Sequence, residues 1–165
     1  MARYSVVGTD GNDTLYGCTG DDWMKGLSGH DLFVSSQGRD YMEGGLGADT
    51  FNFRSLSEAR GDLIINFAGR YNSGGVTGEG DWIDLRTIDA KEYSWSSPST
   101  WGDQAFSFRG DLTYSSATLG RGELGFWNVG GGETKFYGNT DSDSFYELYF
   151  SVSGYPIFTI SDFLL

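Results

Sequence analysis

The chain has 165 residues, long enough for one domain with its own core. It carries 23 Asp and Glu against 11 Lys and Arg, a formal net charge of −12, which argues against nucleic acid and anionic membranes as partners. No apolar run reaches the roughly 18 residues of a spanning helix, so no membrane insertion is expected, and the single cysteine, Cys18, leaves no internal disulfide.

In chain order, the first signal is a period of nine. Aspartate recurs at Asp13, Asp22, Asp31, Asp40 and Asp49. Glycine precedes each by two positions, at Gly11, Gly20, Gly29, Gly38 and Gly47. A large apolar residue follows each aspartate by two, at Leu15, Met24, Phe33, Met42 and Phe51. The pattern is G-G-x-G-x-D-x-U-x, with Gly8, Gly17, Gly26 and Gly44 opening four of the five repeats. The repeats run 8–16, 17–25, 26–34, 35–43 and 44–52, and the fourth opens on Ser35-Ser36 instead.

Each letter has a physical reason. Glycine permits the tight turning that aims backbone carbonyls inward. Aspartate adds a hard anionic oxygen, which suits Ca²⁺ and its demand for about six to eight oxygens. The last three residues form a short strand whose central side chain enters the core. Two nonapeptides complete one coil, so each loop stacks on the loop two repeats away. The expected pairs are Asp13 with Asp31, Asp22 with Asp40, and Asp31 with Asp49. That predicts about three internal Ca²⁺ sites, with more if the ends contribute. Asp10 is a further loop carboxylate in the metal-binding set, and Asp21 another. A flexible Gly/Asp linker is disfavoured because linkers lack a phased apolar residue.

After Phe53 the period stops. Residues 54–60 read as a connector. Strands are predicted at 62–67, 82–85, 105–108, 135–137, 147–150 and 156–160, with an exposed loop at 71–80. Helical periodicity is scarce. The expected fold is all-β: a parallel β-roll over 1–53, continuing into a β-sandwich-like cap over 54–165, as one continuous domain.

From Gly8 to Leu165 the chain resembles the C-terminal domain of serralysin-type secreted metalloproteases and other RTX proteins. The resemblance lies in the five nonapeptides, then Asp62-Leu63-Ile64-Ile65-Asn66-Phe67, the run from Gly80 to Ala90, the run from Gln104 to Gly110, and Gly122-Glu123-Leu124. The ending, Ile160-Ser161-Asp162-Phe163-Leu164-Leu165, looks like that family's uncleaved export signal. The resemblance implies export by a type I secretion apparatus, an extracellular location, and folding on meeting calcium there. Asn66 departs from the family's usual aspartate, and 71–80 is longer than the usual loop.

The chain has one histidine, His30, so it cannot supply the H-E-x-x-H of a zinc protease. No G-x-S-x-G or P-loop occurs. The chain is therefore expected to be non-catalytic by itself. Outside the repeats, Asp62, Asp81, Asp84, Asp141 and Asp143 form an auxiliary set of metal candidates. Two functional readings follow. One is a calcium-binding folding and export module, serving a secreted hydrolase such as a serralysin-like protease. The alternative is a calcium-stabilised module that binds alginate or a related polyuronate, through Lys25, Arg39, Arg54, Arg60 and Arg70 with Trp23 and Tyr41.

Overall fold

Residues that alternate between a tight turn and a three-residue strand must coil, and the coil needs neighbours to bury its apolar row. The computed structural model describes residues 4–69, 80–90, 105–113, 118–141, 143, 145–154 and 158–165. The nonapeptides supply strands β1 (Ser5–Val7), β2 (Thr14–Tyr16), β3 (Trp23–Ser28), β4 (Leu32–Val34), β5 (Tyr41–Leu46) and β6 (Thr50–Asn52). Alternate strands pair in parallel. β1, β3 and β5 build one sheet, while β2, β4 and β6 build the other. The stacking at two repeats expected from the period is therefore what the structure shows.

The coiling outlasts the period. β7 (Leu63–Ile65) adds to β5 and β8 (Trp82–Asp84) adds to β6, both in parallel. The first sheet then continues through β12 (Leu148–Ser153), β11 (Glu133–Asn139), β10 (Glu123–Gly130) and β9 (Ser107–Asp111). The pairs β12–β11 and β11–β10 are antiparallel. The second sheet ends on β13 (Phe163–Leu164), parallel to β8. Among the described residues there is no α-helix.

Register sets the core. Leu15, Phe33, Phe51, Ile83 and Phe163 stack in one row, and Val6, Met24, Met42, Ile64 and Val152 in the other. All but Val6 are buried. Burial of each large apolar side chain contributes about 1.5–3 kcal/mol. Beyond the roll, the core becomes aromatic. Phe136 stacks on Phe150 at 5.0 Å and meets Phe158 edge-on at 4.7 Å.

Strand β10 was not among the predicted strands, and it turns back at Gly130-Gly131-Gly132, where all three φ values are positive. One expectation changes. The expected strand at 156–160 is not seen. Residues 155–157 lie outside the described residues, and Ile160–Asp162 forms a single 3-10 turn. The reason is local: the Asp162 carboxylate folds back to accept the Thr159 N–H at 2.7 Å. Asn66 adopts a left-handed φ of 56°, which asparagine tolerates better than most residues.

Candidate metal centre

A short turn leaves backbone N–H groups that need acceptors, and the repeat aspartates provide them. Each loop aspartate accepts from the aspartate one coil below. The N–H of Asp13 donates to Asp31 Oδ1 at 2.8 Å, and that of Asp31 to Asp49 Oδ1 at 2.8 Å. On the opposite edge, the N–H of Asp22 donates to Asp40 Oδ1 at 3.0 Å. The ladders continue beyond the repeats: Asp40 N–H reaches Asp62 Oδ1 at 2.8 Å, and Asp49 N–H reaches Asp81 Oδ1 at 2.9 Å. One edge of the roll therefore carries Asp13, Asp31, Asp49 and Asp81, and the other carries Asp22, Asp40 and Asp62. Asp62 and Asp81 belong to the same stacks as the repeat residues.

Charge is concentrated there. Asp22, Asp31, Asp40, Asp49, Asp62 and Asp81 are each 2 % exposed or less. Among the described residues, no lysine or arginine forms an ion pair with Asp13, Asp22, Asp31, Asp40 or Asp62. A buried, uncompensated carboxylate costs several kcal/mol, so it either gains a proton or recruits a cation. Burial pushes the Asp62 carboxyl up to about 8, against hydrogen bonds from Asp40 and Ser35. Burial also raises Asp31 and Asp40 above the usual carboxylate range.

The donors that converge are oxygens. A Cβ on Gly8 would sit 2.8 Å from both Asp13 Oδ2 and the Gly26 carbonyl. On Gly26 it would overlap Asp31 Oδ2 and the Gly44 carbonyl, and on Gly44 it would overlap Asp49 Oδ2. Glycine at these positions thus leaves room for a cradle of carboxylate and carbonyl oxygens. Asp31 Oδ2 is buried without a hydrogen-bond partner. Hard oxygens, anionic charge and a spare lone pair suit Ca²⁺.

The fourth-position glycines serve the stacking. Gly20, Gly29, Gly38 and Gly47 have positive φ. A Cβ on Gly29 would meet the Gly11 carbonyl at 2.6 Å. Gly17, which opens the second repeat, faces Ser36 Oγ and Asp22 Oδ2. A second ladder, not foreseen, runs through loop position five. Asn12 Oδ1 accepts the His30 N–H, His30 Nδ1 accepts the Ala48 N–H, and Asp21 Oδ1 accepts the Arg39 N–H. Asp10 is exposed.

The remaining candidates separate. Asp84 takes two bonds from Arg86, at 2.8 and 2.9 Å. Its burial would raise the carboxyl, but the Arg86 guanidinium and N–H hold it below the usual value. Asp141 and Asp143 come together with Glu147, their carboxylate oxygens all within 4.8 Å. Each of the three also accepts a backbone N–H from its own turn. Glu147 was missed from sequence, although it lies only four residues beyond Asp143.

The outer face of the first sheet carries a cleft of about 330 Å³, lined by Arg39, Tyr41, Glu133, Lys135, Tyr137 and Tyr149 among others. Trp23 and Tyr41 do lie one coil apart on one face, where they stack on each other at 5.6 Å. Lys25 pairs with Glu43 and Arg54 with Glu58, while Arg60 sits over Tyr149 at 5.8 Å. Arg70 lies outside the described residues. Lys135, Tyr137 and Tyr149 were not predicted, because they reach the cleft only through the β7–β12–β11 pairing.

Comparison with known proteins gives three findings. No curated protein sequence matches the chain. Two solved structures are similar, both subunits of the Azotobacter vinelandii mannuronan C5-epimerase. The AlgE6R2 subunit is 21 % identical, with a TM-score of 0.53, over 96 % of this chain and 91 % of that one. The AlgE6R3 subunit is 20 % identical, with a TM-score of 0.49, over 96 % and 81 %. The AlgE6R2 match speaks to fold alone. Residues 5–33 and 19–51 match the family described as RTX calcium-binding nonapeptide repeat, so with the stacked aspartates above, the segment 5–51 is an array of RTX calcium-binding repeats.

Proposed function

We propose that this chain is a calcium-triggered folding module of an exported protein. The observation that carries this reading is the pair of carboxylate ladders, buried from Asp22 onward and, among the described residues, with no lysine or arginine paired to Asp13, Asp22, Asp31, Asp40 or Asp62. At low calcium, folding must bring these charges together with nothing to neutralise them. At the calcium level outside a cell, the ions supply that charge, and binding energy becomes folding energy. The ions would be held by the loop aspartates and by the carbonyls that meet them at Gly26 and Gly44. A chain with this property stays extended during export by a type I apparatus and folds on arrival. Limited proteolysis tests the idea. In chelator, cleavage is expected throughout 8–52; with millimolar calcium the same segment should resist. Equal resistance in both conditions would reject it.

A second reading has its own observation. The cleft is lined by Arg39 and Lys135 together with three tyrosines, and by Glu133. Cations suit carboxylates, and aromatic rings suit the apolar faces of sugars. An acidic glycan such as a polyuronate fits both. Calorimetry with uronate oligomers in saturating calcium should give heat that Lys135→Ala and Arg39→Ala reduce. Binding unaffected by both substitutions, or no binding at all, would remove this reading.

A further inference from the structure

The two edges of the roll are not chemically equivalent, and Asp31 and Asp40 allow a like-for-like comparison. Both are interior rungs and both are 2 % exposed or less. Each gives Oδ1 to the N–H of the aspartate one coil below. They differ at Oδ2. Asp31 Oδ2 is buried with no partner. Asp40 Oδ2 faces three donors: the Ser36 N–H at 3.0 Å, the Ser36 hydroxyl at 3.3 Å and the Ser35 hydroxyl at 3.3 Å.

The serines reach other oxygens of the same edge. Ser35 Oγ lies 2.6 Å from Asp62 Oδ2 and 3.0 Å from the Glu58 carbonyl. The Ser36 hydroxyl bonds the Cys18 carbonyl. Both serines are buried. In the first, third and fifth repeats the equivalent opening residue is glycine; the space where its Cβ would stand is taken by carboxylate and carbonyl oxygens at Gly8 and Gly26, and by the Asp49 carboxylate at Gly44. In the fourth repeat that space holds hydroxyl groups. A hydroxyl has one proton to donate, and it is directed at an oxygen that a cation would otherwise contact. Asp22 Oδ1 is also unpartnered, but Asp22 is the lowest aspartate of its ladder and has no loop aspartate beneath it to donate.

At the open end of the first edge, Asp13 Oδ2 likewise accepts the Thr9 N–H at 2.6 Å and the Thr9 hydroxyl at 2.8 Å. We infer that calcium binds on that edge between Asp31 and Asp49, and that Ser35 and Ser36 stand in for an ion on the edge of Asp22, Asp40 and Asp62. The roll is then calcium-dependent on one edge and internally hydrogen-bonded on the other. This inference rests on calcium binding by the repeats. It reduces the sites expected from spacing, because the Asp22–Asp40 pair takes no ion. It also gives the departure from glycine at Ser35-Ser36 a role: in the folded roll the Asp40 and Asp62 carboxylates are met by hydrogen bonds in place of an ion.

The test counts ions on the full-length chain, by equilibrium dialysis against calcium with calorimetry as a check. Asp31→Asn should lose at least one bound ion. Asp40→Asn should bind as many ions as the parent chain. The double variant Ser35→Gly/Ser36→Gly should gain one ion, because the missing hydroxyls free Asp62 Oδ2 and the Cys18 carbonyl and leave Asp40 Oδ2 only the backbone N–H of residue 36. This last variant keeps the test open if Asp40→Asn fails to fold. An ion lost from Asp40→Asn as from Asp31→Asn, or no gain in the double variant, overturns the division between edges. A parent chain that binds no calcium would instead refute the calcium reading itself.

Discussion

At the residue scale, the buried carboxylates make the metal-free fold sensitive to pH. Asp62 has a folded-state value near 8, raised from 3.8 chiefly by burial, and Asp31 and Asp40 shift the same way. A raised value means the folded chain holds protons that the unfolded chain releases. Stability from this source is therefore full below about pH 4 and is lost as pH rises towards 8. In chelator, the far-UV β signal should be larger at pH 5 than at pH 8; a larger signal at pH 8 would contradict the burial argument. Glycine substitutions give a second check. Gly26→Ala places a methyl on Asp31 Oδ2 and the Gly44 carbonyl, so it should raise the calcium midpoint severalfold. Gly131→Ala, at a φ of 64° with nothing within 4 Å, should cost only about 1 kcal/mol and leave the calcium midpoint unchanged. Calcium titrations of the two variants separate crowding in the cradle from simple backbone strain.

At the element scale, the final strand closes the second sheet. Phe163 is 6 % exposed, contacts Phe108 and Phe136 at 5.0 and 5.4 Å, and continues the row of Leu15, Phe33, Phe51 and Ile83. Leu164 accepts the Leu85 N–H at 2.9 Å. Phe163→Ala should lower stability by about 3–5 kcal/mol in saturating calcium, read by urea melts. A loss below about 1 kcal/mol would show that the ending does not pack as described. The reading of this ending as an export signal came from resemblance, and secretion of a chain lacking 162–165 tests it separately. Elements also show where sequence reading stopped. The i to i+18 register of β2, β4 and β6 followed from the period. The next rungs did not, because Asp62 lies 22 residues after Asp40 and Asp81 lies 32 after Asp49. Insertions broke the count without breaking the coil. A signal survived all the same: Asp62 precedes Ile64, and Asp81 precedes Ile83, by the same two residues that separate Asp13 from Leu15. The role of Ser35 could not be read from spacing, because it depends on Asp62 returning beside it from outside the repeats.

At the scale of the whole molecule, one core links the nonapeptide coils to the aromatic second half, through the row that ends on Phe163 and through Phe53 stacked on Phe150. Loss of calcium from the loops should therefore be felt beyond residue 52. The expected change is a cooperative one, since a coil stripped of its ions exposes the apolar row that the next coil packs against. The most direct measurement is a calcium titration of the full chain from chelator, followed by far-UV circular dichroism at neutral pH. The account predicts little β signal in chelator and a cooperative rise at about 0.1–1 mM Ca²⁺, the range of extracellular modules, with Mg²⁺ a poor substitute. A β spectrum already complete in chelator and unchanged by calcium would contradict it.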